Sequence, residues 1–128
     1  MKIDVYRNLN KECWSVRSRE TDNYGKVVDH TDTIIVVDAE FVVQPAGLKR
    51  TRETGVKNVH AFVRGIKGSQ QDYSDLLDEW GEPIYNVTYD PFKKDHFYLS
   101  GSGEKIESSP LVYMSIDNGV FVQQWNTE

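Results

Sequence analysis

The stretch TIIVVDAEFVVQPAGLKRTRETGVKNVHAFVRG, Thr33 to Gly65, decides how this 128-residue chain is read. Its opening is crowded with β-branched side chains, which suit a pleated, half-buried surface. Thr33 to Val43 therefore reads as one long or bent strand. Gln44-Pro45-Ala46-Gly47 breaks it, and Pro45 can open a helix because the first helical N–H needs no partner. Leu48 to Thr54 would be a short basic helix, with Gly55 as its left-handed cap. So short a helix is marginal alone, so packing must hold it. Val56 to Ile66 reads as strand again, with Val59, Ala61 and Val63 toward the core and Asn58, His60, Phe62 and Arg64 on the opposite face.

The flanks extend the β pattern. Ile3 and Val5, then Trp14 and Val16, alternate with polar neighbours, and Asn8 to Lys11 is a plausible turn between them. Asp22-Asn23-Tyr24-Gly25 is another turn, followed by a short strand, Lys26 to Asp29. Downstream, Ile84 to Tyr89 and Phe97 to Leu99 read as strands, and Asn118-Gly119 between two apolar runs is a strong hairpin signal. Gln70 to Trp80 is the clearest helix: Tyr73, Leu76, Leu77 and Trp80 share one stripe, while Asp72, Asp75, Asp78 and Glu79 line the other side. The expected fold is a single α+β domain over residues 1–128, a mainly antiparallel sheet with one amphipathic helix and one short basic helix.

Composition excludes several classes. No apolar run approaches the ~20 residues a membrane helix needs, and the first ten residues lack the centre of a signal peptide. A cytoplasmic protein is expected. The lone cysteine, Cys13, rules out an internal disulfide and reads as a small buried hydrophobe. The net charge of −5 conceals an asymmetry: Leu48 to Lys67 holds six cations and one acid, against nine cations and nineteen acids elsewhere. An acidic remainder repels long polyanions, whereas a small anion feels chiefly the local field. Long nucleic acid is thus an unexpected partner.

Catalytic signatures are absent from the sequence: no nucleophile elbow, P-loop or zincin motif occurs. His30, His60 and His96 are widely spaced, and neither a metal nor a cofactor is expected. Arginine offers forked N–H donors that match phosphate. The candidate ligand-binding set is therefore Arg50, Arg52, Lys57, Asn58, His60, Phe62 and Arg64, joined by Tyr89, Phe92 and Lys93 from the aromatic segment Tyr85 to Lys94. The cations would take phosphates, the polar side chains sugar hydroxyls, and the rings a base. The plainer reading is that the basic run is a solubilising surface and the aromatics are core.

Two blocks, KNVHAFVRG (Lys57 to Gly65) and VTYDPFKKDHF (Val87 to Phe97), resemble a family of small phage-encoded proteins, with Asp90 where that family's turn carries asparagine. The nearest family of known function that they resemble is the phage Thoeris anti-defence sponges. That resemblance implies an oligomeric α+β protein that binds cyclic ADP-ribose signals of TIR-domain enzymes, some members also taking cyclic oligonucleotides. Taken with the charge pattern, it implies a homo-oligomer that sequesters a small nucleotide without turning it over. The alternative is a protein–protein inhibitor of a host defence complex, similar to an anti-CRISPR, whose acidic helix mimics nucleic-acid charge.

Overall fold

Strand β4, Thr33–Val43, forms as its composition demands and runs down the middle of a sheet that has nine strands among the described residues. The structure is a computed structural model and describes residues 1–8, 10–55, 59–69 and 85–122. The other strands are β1 (Lys2–Asn8), β2 (Cys13–Ser18), β3 (Val27–Thr31), β5 (Ala61–Lys67), β6 (Tyr85–Thr88), β7 (Tyr98–Leu99), β8 (Ser108–Ser115) and β9 (Gly119–Val122). Their order is β3-β2-β1-β5-β4-β8-β9-β6-β7, and every neighbouring pair is antiparallel. The α+β expectation holds, with one α-helix, α1 (Pro45–Thr54), among the described residues. The amphipathic helix expected over 70–80 lies outside them.

Strand β4 is bent, and the bend has an identifiable cause. Asp38 sits at φ 51, and the register with β5 shifts between Val37 and Glu40. Such a bulge adds a residue on one strand and sharpens the local twist. Gly65 makes room for it: a Cβ there would lie 2.7 Å from the Val37 carbonyl oxygen and 2.6 Å from Val36 Cγ1. The turns follow their local chemistry. The Asn8 side-chain oxygen accepts from the N–H groups of Asn10 and Lys11, and Gly119 takes φ 104 after Asn118.

One face of the sheet carries the core. Register places Val5 beside Val16 and Val63, Val36 beside Val112, Ile34 beside Met114, and Val87 beside both Val120 and Leu99. These residues belong to a single apolar cluster, although β1 and β6 are separated by four other strands in the sheet order. The sheet must therefore curl until its halves meet, which removes both apolar faces from water at once. Cys13 is buried, with Sγ 3.7 Å from His30 Nδ1.

Helix α1 starts with Pro45 as its first residue and ends at Gly55, whose φ of 72 and N–H bond to the Thr51 carbonyl make the left-handed cap. Leu48 and Thr51 are its buried positions, one turn apart on the inward face. It docks where β4 hands over to β5.

Candidate functional site

Docking of α1 determines where the expected site residues lie. The Gln44 N–H donates to the His60 carbonyl at 2.7 Å, and Gly47 passes so close that a Cβ there would sit 2.6 Å from His60 Cβ. Thr51 Oγ1 bonds both the Gly47 carbonyl, at 3.1 Å, and His60 Nδ1, at 3.2 Å. A hydroxyl has one proton, so if it goes to Gly47 the imidazole must donate from Nδ1. His60 is 5% exposed and clamps the helix to the sheet.

The expected alternation across this segment is thereby reversed at its start. Val59 is 42% exposed rather than core-facing, and His60 is buried rather than open. The reason is long-range: α1 folds back over the residue that alternation alone would leave in solvent. Phe62 is also buried, and the Arg64 guanidinium lies over its ring at 5.2 Å. Arg64 turns to β1, donating from Nε to Asp4 Oδ1 at 2.9 Å and from Nη2 to Oδ2 at 3.3 Å. That bond, ahead of the cost of burial, raises the guanidinium's pKa. Arg64 is thus committed to a cross-strand pair. Lys57 and Asn58 lie outside the described residues.

What the fold brings together is α1 and the turn after β6. Arg52 donates from Nε to the Pro91 carbonyl at 2.8 Å, and among the described residues the guanidinium has no other hydrogen bond or ion pair. The turn itself is fixed by Asp90: its carboxylate accepts from the Phe92 N–H at 3.0 Å and its carbonyl from the Lys93 and Lys94 N–H groups. Phe92 is consequently held outward, 54% exposed, with Lys93 exposed beside it. Behind the turn, Tyr89 meets the His60 ring edge-on at 5.4 Å and stacks on Phe97 at 5.1 Å. Arg50 and Arg52 flank the inward Thr51, each about 100° around the helix from it. Arg50 therefore projects from the flank away from Arg52.

The electrostatics of this seam are mixed. Desolvation pushes the Tyr89 phenol up to about 12, with Arg52 opposing and Asp95 and Asp90 assisting. The Asp95 carboxylate is held below its usual range, first by the hydrogen bond with His96 at 2.9 Å. Among the described residues no group of three or more His, Cys, Asp or Glu side chains can hold a metal ion. Sequence reasoning named Tyr89, Phe92, Lys93 and Arg52 but missed Thr51 and Asp95. Thr51 carried one usable signal, its spacing three residues after Leu48.

The whole described architecture, from β1 to β9, falls within the match to a protein-family model, that of the Mycobacterium phage L5 gene 82 protein, over residues 1–123. The chain belongs to that family. It is 28% identical to the gene 82 protein of Mycobacterium phage L5 itself, over 94% of each chain. No solved structure matches. The family is phage-encoded, as the two sequence blocks led one to expect. Among the described residues of this gene 82 family member, no helix is long and apolar enough to cross a membrane.

Proposed function

We propose that this phage protein binds and sequesters a small nucleotide signal of the host, a cyclic ADP-ribose isomer or a cyclic oligonucleotide, without turning it over. The observation that carries the reading is the Arg52–Pro91 bond, which joins the basic helix α1 to the aromatic turn after β6, distant in sequence. It sets a guanidinium with two Nη groups to spare beside exposed Lys93 and the outward ring of Phe92. Guanidinium and ammonium suit a phosphate, and the exposed ring suits a base face. Asp90 and Asp95 offset part of the cationic field, which favours a ligand with one or two phosphates over a long polyanion. Tyr89, at about 12, stays a neutral donor throughout the physiological range and is unsuited to proton transfer there. Release is slowed when a nucleotide is enclosed between subunits, so the active form is a homo-oligomer.

The test is incubation with a panel of cyclic dinucleotides and cyclic ADP-ribose isomers, followed by denaturation and mass spectrometry of what is released. An intact nucleotide is the expected result. A cleaved one identifies an enzyme. If nothing is retained at micromolar concentration, the reading fails, and a docking partner in a host defence complex becomes the target of the next search.

A further inference from the structure

Arg52 and Asp95 stand near one another without pairing. The guanidinium is tied to the Pro91 carbonyl, 2.8 Å from Nε. The turn presenting that carbonyl is closed by the Lys94 N–H, which donates to the Asp90 carbonyl at 2.8 Å. In such an i to i+4 turn each carbonyl points toward the residue four places on, so the Pro91 oxygen is aimed at Asp95. The Asp95 carboxylate is held below its usual range chiefly by its bond with His96, with a smaller contribution from the Arg52 charge. Yet among the described residues the two side chains form no ion pair. Between them lies a gap with spare donors on one side and spare acceptors on the other. Arg52 keeps both Nη groups, and Asp95 keeps Oδ2 while His96 Nδ1 bonds Oδ1 at 2.9 Å.

A bare phosphate suits that gap poorly. It would gain Arg52 but meet the negative charge of Asp95, and that of Asp90 at the other end of the turn. The repulsion is offset for a ligand that turns hydroxyl donors to the carboxylate while its phosphate lies on the guanidinium. In dinucleotide-binding folds a carboxylate near the phosphate site takes a ribose hydroxyl in this way. A nucleotide carries its ribose between base and phosphate, and the seam supplies one partner for each: the exposed Phe92 ring, Asp95 and Arg52. We propose that Asp95 is the specificity residue of the seam and selects nucleotides with a free ribose cis-diol, both hydroxyls donating to its carboxylate. The lone pairs of an ionised carboxylate accommodate both beside His96. The proposal rests on the nucleotide reading above and narrows it. Cyclic ADP-ribose isomers keep such a diol on at least one ribose, whereas cyclic dinucleotides closed through 2′ or 3′ oxygens have none.

Adenosine 5′-monophosphate and its 2′,3′-dideoxy analogue share base and charge and differ only in the diol. Titrated into the full-length protein up to millimolar concentration, the monophosphate should bind about tenfold more tightly, the gain from hydrogen bonds to a charged acceptor. Asp95→Asn keeps the shape and removes the charge. It should weaken the monophosphate and tighten the dideoxy analogue, bringing the two affinities together. A merely structural role for Asp95 would move both ligands in the same direction. Thermal unfolding should be unchanged, because the side chain is largely exposed. Cyclic ADP-ribose should likewise be retained in preference to a cyclic dinucleotide. Equal affinity for the two monophosphates, a preference that survives Asp95→Asn, or no binding of either overturns the inference. A panel that returns no nucleotide overturns the proposed function. A panel that returns one while the two monophosphates bind alike overturns only this inference.

Discussion

Arg52 and Arg64 belong to the same cationic run, yet α1 and β5 put them to different use. On the helix, Arg52 is exposed and reaches across to a backbone carbonyl of a separate turn. In the strand, Arg64 is set by register opposite Asp4 on one side and Glu40 on the other, and it pairs with Asp4. A strand residue has its neighbours chosen by the ladder; a surface helix residue does not. A charge cluster in sequence is therefore not yet a charge patch in space. The run splits into a structural half and a half that remains open to a ligand.

Removing Asp4 should break the structural half hardest. The carboxylate is buried, and its loss strands Arg64 and takes the ion pair from Arg19, 3.9 Å away. Asp4→Ala should cost about 2–3 kcal/mol in urea denaturation, scaled down from a fully buried pair because Arg64 is partly solvated. Nucleotide retention at the α1 seam should be unchanged in the folded fraction. If the variant is as stable as the parent, Arg64 is not structural and the comparison collapses.

The helical half should respond next, through its anchor rather than its charges. Gly47→Ala puts a methyl 2.6 Å from His60 Cβ, a contact that no rotamer change relieves. A destabilisation of about 1–2 kcal/mol is expected, measured by thermal unfolding. Thr51→Val, which keeps the shape but removes the bond to His60, should cost about 1 kcal/mol. If Gly47→Ala is neutral, α1 is not clamped as the geometry requires.

These two anchors also mark where sequence reading stops. The bent strand, the Pro45 start, the Gly55 cap and the Asn118-Gly119 hairpin all depend on neighbours within a few residues, and all were legible. Period-two alternation was legible too, and it misassigned His60 for a physical reason. Alternation assumes that the strand's outer face is bare, and only the tertiary approach of Gly47 covers it. The Arg64–Asp4 pair spans 60 residues of sequence, and no local pattern announces it. In the candidate site, the aromatic turn was readable as chemistry. Its meeting with Arg52 was not, because that depends on how far the sheet curls.

Alkaline pH offers a gentler probe of the seam. The Tyr89 phenol titrates near 12 when folded and about 10 when unfolded. Between those values the unfolded chain has released a proton that the folded chain retains. Stability therefore falls as pH rises through the window, and this contribution is flat below it. A phenolate absorbance titration should show a late phase near 12 that Tyr89→Phe removes. If Tyr89→Phe keeps the late phase and loses a phase at about 10 instead, the phenol lies in solvent, away from His60.

The smallest effect on stability should come from Arg52, and that is its diagnostic value. Its single bond is made at the surface, to an oxygen that water can serve as well. Arg52→Ala should therefore change stability by less than about 0.5 kcal/mol. In the nucleotide panel, by contrast, loss of a charge-assisted phosphate contact should weaken retention about tenfold or more. Arg52→Lys keeps the charge but not the fork, and should restore only part of that. Equal stability with unequal retention would assign the open half of the run to a ligand. Equal stability with equal retention would make Arg52 a solubilising residue.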